Sequence, residues 1–234
     1  MVSKACVLLF VKYPAKGEVK VRLTSHIKQE VVAELYRNFV LDLLSTLTQS
    51  RIPFLVVYDP THTLQRFEEW LGTNYEYIPQ KGSNLGERLN HGFVEAFSRE
   101  FQCVLALASD IPDLPVDVLL KACEALKTED VIIGPSPDGG YYLIGFQRET
   151  FLSKTFEGIT WSSDKVLNET LSQLKMGDRS VQFLPLWSDV DTYEDLQALI
   201  RRGTKTDFCS SNTMKYILQH KELLLKHQLK TGLS

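Results

Sequence analysis

The chain has 234 residues, enough for one large α/β domain or two small ones with a sizeable core. Apolar residues make up 44% and charged residues 24%, the mix of a soluble globular protein. A net charge of −3 argues against nucleic acid or an anionic membrane as the main partner, yet leaves room for a small anion in a local basic pocket. The four cysteines show no C-x-x-C spacing and three sit in apolar or amphipathic runs, so buried thiols in a reducing cytosol are expected. No segment reaches the ~20 apolar residues of a membrane span, and the first apolar run is too short for a signal core. A cytoplasmic protein is the expectation.

Residues Ala5–Val11 (ACVLLFV) form an unbroken apolar run, as a strand buried on both faces would. A polar, basic loop fills 12–24. The spacing of Val32, Leu35, Tyr36, Phe39, Val40, Leu43, Leu44 and Leu47 predicts a long amphipathic helix over 29–47. Strands are then predicted over 53–58 and 75–78, alternating with helices over 64–71 and 85–97. A fourth strand, 103–108 (CVLALA), stops at Ser109-Asp110, and Pro115 opens a helix running to about 126. Strands over 131–133 and 141–146, a helix over 162–174, a strand over 181–186 and a helix over 192–200 complete the pattern. Such alternation indicates an α/β fold, a mainly parallel sheet with helices on both faces. Residues 204–211 read as a linker, and 214–229 as a docked terminal helix or a homodimer contact.

Two acidic stretches carry the functional signal, Ser109-Asp110-Ile111-Pro112-Asp113 and Asp189-Val190-Asp191-Thr192. A carboxylate at the end of a buried strand is costly unless it is paired or binds metal, which singles out Asp110. Asp113 reads as a turn or helix-entry residue. Asp189 and Asp191 alternate, so an extended backbone points both the same way. Asp191 also precedes Glu194 by three residues, the pattern of an N-cap, and capping does not exclude metal binding.

Directly after the first strand, Lys12, Lys16, Lys20 and Arg22 supply positive charge where doubly wound sheets grip phosphates. Gly17 permits an unusual turn there. In an extended loop, Lys20 and Arg22 would reach the same side. A solvated basic loop would explain the same residues. Neither G-x-G-x-x-G nor G-x-x-x-x-G-K-[ST] occurs, which counts against a dinucleotide dehydrogenase and a P-loop NTPase. Further on, Asn84 and Glu87 fit a helix cap, and Arg88 stays open as a phosphate contact. Asp138-Gly139-Gly140-Tyr141 suits a hairpin turn, and equally a close backbone approach to a sugar or base. The histidines lack ligand spacing, and no nucleophile motif appears.

Six segments also come in one familiar order. They are Phe10-Val11-Lys12-Tyr13-Pro14 with Gly17 to Leu23, Gln80 with Leu85 to Leu89, and Ser109 to Pro115. Gly134-Pro135 with Asp138 to Gly145, Gly158 to Ser163 and Asp189 to Thr192 follow. In this the chain resembles the GT-A-superfamily proteins described as selenodomain-associated or arsenosugar-biosynthesis glycosyltransferases. The resemblance spans roughly 5–200. It implies a GT-A, nucleotide-diphospho-sugar-transferase-like domain over 1–203, a three-layer α/β/α fold with a mostly parallel, Rossmann-like sheet. The linker and helix of 204–234 lie outside it.

By the resemblance, Lys20 and Arg22 belong to the phosphate-contacting loop, which also holds Lys12 and Gly17. Asp110 is the metal-binding acid, with Asp191 and then Asp189 as the later acidic positions. Asp138, Gly139, Gly140, Tyr141 and Trp161 fall on the sugar or acceptor side. Val21, Ala108 and Ile111 depart from the residues usual at their positions, and none removes a presumed ligand.

The expectation is a metal-dependent glycosyltransferase with a nucleotide-sugar donor, using Mg²⁺ or Mn²⁺ on Asp110 and Asp191, with Asp138 as acceptor contact or base. Nucleotidyl transfer, in which an NTP meets a phosphorylated acceptor and pyrophosphate leaves, would need the same metal and basic loop. A non-catalytic nucleotide-binding module is the third reading. Replacing Asp110 by alanine is expected to abolish metal-dependent nucleotide binding at near wild-type stability.

Overall fold

The first apolar run forms β1 (Ala5–Val11) in the computed structural model, which describes residues 5–224. The elements follow as α1 (Gln29–Ser50), β2 (Phe54–Tyr58), α2 (Leu64–Leu71), β3 (Glu76–Pro79), α3 (Leu85–Ser98), β4 (Cys103–Leu107) and α4 (Val116–Ala125). Next come β5 (Val131–Pro135), β6 (Tyr141–Gln147), α5 (Val166–Met176), β7 (Val181–Phe183), α6 (Tyr193–Gly203), α7 (Asn212–Gln219) and α8 (Lys221–Leu224). By contact density these residues divide into two compact units that interleave along the chain.

The first unit, drawn from 5–11, 46–108 and 114–188, holds the whole sheet. Its strand order is β3-β2-β1-β4-β6-β5-β7. All neighbours run parallel except β6, which is antiparallel to both β4 and β5. The reversal comes from the Asp138-Gly139-Gly140 turn, which folds β5 back as a hairpin. Parallel strands covered on both faces need apolar side chains on both, and β1 and β4 are buried almost throughout. Alternate residues separate the faces. Leu8, Val57, Val104, Ile133 and Phe146 pack with Phe93 of α3, Phe156 and Leu174 of α5. On the other side, Leu105 lies near Leu126, just past the end of α4, with Gly145 leaving the space between them.

Two boundaries in this unit differ from the sequence expectation. Helix α5 starts at Val166 rather than 162, because Ser162 sits at φ 65, outside helical space. Strand β7 stops at Phe183. The next residues stay beside β5 without regular pairing, the Leu184 and Trp187 amides donating to the Ile133 and Pro135 carbonyls at 2.8 and 3.2 Å, and the Pro185 carbonyl accepts from the Tyr142 hydroxyl at 3.0 Å.

The second unit gathers 12–45, 109–113 and 189–224. Its α1 portion buries Val32, Leu35, Tyr36, Phe39, Val40 and Leu43, the stripe that helical spacing anticipates. Residues 214–229 do not form one helix. Among the described residues α7 ends at Gln219, His220 leaves helical geometry, and α8 is a single turn; 225–229 lie outside the described residues. The start of α7 is tied down by the buried Asp42 carboxylate. It accepts from the Asn212 and Thr213 backbone amides at 2.9 and 2.8 Å, satisfying donors a helix start leaves open. Cys6 and Cys103 are buried as expected, Cys123 is half-buried, and Cys209 is exposed. No described helix is long and apolar enough to cross a membrane.

Candidate functional site

Within the second unit, both acidic stretches and the basic loop come together. The Val190 amide donates to the Asp110 carbonyl at 2.9 Å, so the two stretches are joined through their backbones. The basic loop is not extended there. Lys20 adopts a left-handed conformation (φ 46, ψ 46) and leads into a 3₁₀ turn, Val21–Ser25, pinned by the buried Leu23. A left-handed non-glycine residue is strained by roughly 1–2 kcal/mol, so the surrounding contacts must hold it.

Those contacts are ionic. Lys20 Nζ donates to Asp110 Oδ2 at 2.6 Å and approaches Asp191 Oδ1 at 3.5 Å. Arg22 Nη1 donates to Asp191 Oδ2 at 2.7 Å. The four side chains are unequally covered: Lys20 is 8% exposed, Asp110 26%, Asp191 32% and Arg22 71%. Burial by itself lowers the Lys20 pKa. The Asp110 charge and hydrogen bond, then Asp191 and Asp189, outweigh that and leave it raised. Asp189 thus acts on Lys20 through its charge.

Asp191 is not the N-cap of α6. That position belongs to Thr192, which forms a capping box with Asp195. The cap shift leaves the Asp191 carboxylate to Lys20 and Arg22, and separates two roles that residue spacing had left joined.

Two contributors carry weaker sequence signals. Tyr36 of α1 accepts from the Lys12 amide at 3.1 Å and shares a 2.7 Å hydrogen bond with Ser109 Oγ. Burial pushes its phenol up to about 12, so it stays protonated. A tyrosine on an apolar helical stripe needs a partner for its hydroxyl, and that requirement was the available signal. Tyr36→Phe would strand the Lys12 amide and the Ser109 hydroxyl. A stability loss of about 1–3 kcal/mol in urea denaturation is the expected result. The second contributor is Asp113, whose carboxylate takes a two-pronged contact from Arg202 at 2.5 and 3.1 Å.

The other sequence candidates are placed differently. Lys12 exposes its side chain, and Gly17 (φ 78) makes the turn beside Gln29. Arg88, in the first unit, donates to Asp59 Oδ2, Gln80 Oε1 and the Gly82 carbonyl, each at 3.3 Å. Asp138 Oδ1 accepts from the Ser136 hydroxyl and the Gly140 amide, closing the β5–β6 turn. An added Cβ on Gly139 would lie 2.2 Å from the Asp164 carbonyl oxygen, so the space its missing side chain leaves is filled by backbone. Burial pushes the Tyr141 phenol up, and Trp161 packs over Gly86 on the sheet core.

Among the described residues no group of three or more His, Cys, Asp or Glu could hold a metal by itself. Two carboxylates converge on one cation position, at Lys20 Nζ. That donor set suits Mg²⁺ or Mn²⁺ when substrate phosphates complete the coordination.

The family described as "Uncharacterized protein conserved in bacteria (DUF2064)" matches residues 42–163, more than half of the chain. The chain belongs to that family. A solved structure from Desulfovibrio desulfuricans G20, provisionally assigned as a nucleotide-diphospho-sugar transferase, is 36% identical. It superposes with a TM-score of 0.92 over 97% of this chain and 99% of its own. The 2-phospho-L-lactate guanylyltransferase of Methanocaldococcus infernus is 27% identical over 188 residues, 80% of this chain and 81% of the relative. A cytidylyltransferase from Leptospira borgpetersenii shares the fold at 12% identity (TM-score 0.58, 99% of this chain and 98% of that one). This DUF2064 member therefore has the nucleotide-diphospho-sugar transferase fold.

Proposed function

We propose that this transferase moves a nucleotidyl group: a phosphorylated small molecule attacks the α-phosphorus of an NTP, and pyrophosphate leaves. The carrying observation is the pairing of buried Lys20 and exposed Arg22 with Asp110 and Asp191. It offers two cations for a polyphosphate and two carboxylates for a divalent ion. The guanylyltransferase relative supports nucleotidyl rather than glycosyl transfer, and makes GTP the first donor to test.

In this reading the acceptor's phosphate oxygen forms a bond to the α-phosphorus as the bond to the bridging oxygen of pyrophosphate breaks. Charge accumulates on the departing pyrophosphate, where Lys20 and Arg22 neutralise it. A divalent ion held by Asp110 and Asp191 would add Lewis-acid charge to the same oxygens. The Tyr36 hydrogen bonds to Ser109 and the Lys12 amide fix the backbone next to Asp110 before substrate arrives, which lowers the reorganisation that stretch needs during reaction.

Glycosyl transfer is the second reading, favoured by the name of the 36% identical Desulfovibrio relative. One assay separates the two. The protein is incubated with Mg²⁺, each NTP and a panel of phosphorylated hydroxy acids and sugar 1-phosphates, and in parallel with nucleotide sugars. Pyrophosphate release in the first series is expected. Nucleoside diphosphate release confined to the second would overturn the nucleotidyl reading.

A further inference from the structure

In the structure the Lys20 ammonium occupies the one position both carboxylates share. The local balance is two positive charges, Lys20 and Arg22, against Asp110 and Asp191, with Asp189 adding a further negative charge that acts on Lys20. A divalent ion added while Lys20 remained would crowd four positive charges, Arg22 included, around Asp110, Asp191 and the nearby Asp189. Like charges a few ångströms apart in a partly buried site repel strongly. Yet Lys20 is almost fully covered, and a buried ammonium that loses its carboxylates needs another anion. Arg22, by contrast, is largely exposed, and its guanidinium pairs with the outer partner, Asp191.

We infer that Lys20 is a placeholder for the divalent cation, so that the cation enters the Asp110–Asp191 pair only when a polyphosphate draws Lys20 away. This deepens the nucleotidyltransferase reading and rests on it for the identity of the polyphosphate. Arg22 meets the phosphates first, Lys20 turns from the carboxylates to the phosphate oxygens, and the vacated carboxylates accept the ion. Cation and polyphosphate affinities are thereby coupled, each raising the other by the same factor. A free divalent ion does not load the enzyme alone.

The test is Mn²⁺ binding followed by water-proton relaxation, which rises when Mn²⁺ is held on the slowly tumbling protein. Wild type with Mn²⁺ alone should show weak binding. Lys20→Met should bind Mn²⁺ alone about tenfold tighter or more, within the usual range of coupling between sites. Lys20→Arg, which keeps the cation, should behave as wild type. Tight Mn²⁺ binding by wild type alone, or no gain in Lys20→Met, overturns the inference. Should Lys20→Met not fold, wild type decides: Mn²⁺ uptake that appears only on adding inorganic pyrophosphate supports the placeholder, and uptake indifferent to pyrophosphate rejects it. Failure of the nucleotidyl reading looks different, as absence of pyrophosphate release from NTPs while the Lys20→Met gain in Mn²⁺ affinity persists.

Discussion

Asp110→Ala should lose both turnover and stability, the second by about 2–3 kcal/mol in urea denaturation. The sequence alone suggests near wild-type stability, because a strand-end carboxylate poised for metal has no structural duty. The Lys20 contact changes that. Lys20 is the most covered member of the cluster, and Asp110 is its 2.6 Å partner. Removing Asp110 leaves a buried ammonium with the more distant Asp191 at 3.5 Å. Breaking a fully buried pair from one side costs about 3–5 kcal/mol, and the surviving Asp191 contact and partial exposure of Asp110 reduce that figure.

The converse substitution, Lys20→Met, should be milder in stability. The carboxylates it strands are 26% and 32% exposed, so water reaches both, and Arg22 still pairs with Asp191. Asp110→Ala equal to or milder than Lys20→Met in urea would mean that the ammonium does not depend on Asp110.

Gly139→Ala is expected to cost about 3 kcal/mol or more, by clash as well as strain. Gly139 has φ 86, and its added Cβ would sit 2.2 Å from the Asp164 carbonyl oxygen, a backbone atom that cannot swing aside. The Leu167 amide also donates to the Gly139 carbonyl at 2.9 Å, locking the turn to the first turn of α5. Gly158→Ala is the internal comparison. Its φ of 69 imposes similar strain, but its nearest neighbour, the end of the Gln173 side chain, is 3.8 Å away. Only the strain of about 1–2 kcal/mol should appear there. Equal losses at the two positions, read from thermal melts, would remove the clash from the account. The result bears on function, because a glycine retained to let a sugar approach would leave its space empty.

Much of the fold was legible because each buried strand is an apolar run and each helix carries a 3.6-residue stripe. Ala5–Val11, Cys103–Leu107 and the Val32-to-Leu47 face of α1 follow from those periods. The Asn84 cap, with its oxygen accepting from the Glu87 amide at 3.0 Å, was equally plain from local chemistry. What the periods do not encode is where a turn leaves regular geometry. Ser162 at positive φ delays α5, and His220 breaks the terminal segment after α7. Both are single-residue departures in backbone dihedral, which a hydrophobic period does not record.

By itself, the order of residues determined the α/β class, the strand that delivers Asp110, and a basic loop holding Lys20 and Arg22. Those are local properties, set by hydrophobic period and by charge next to a strand end. Only tertiary structure decided that Lys20 serves both Asp110 and Asp191 across separations of 90 and 171 residues. It also decided that the loop reaches them through a left-handed turn rather than an extended strand, and that Thr192 caps α6 in place of Asp191. The physical reason is burial. Once Lys20 is taken out of water its charge must be answered nearby, and which carboxylates answer it depends on how distant segments pack.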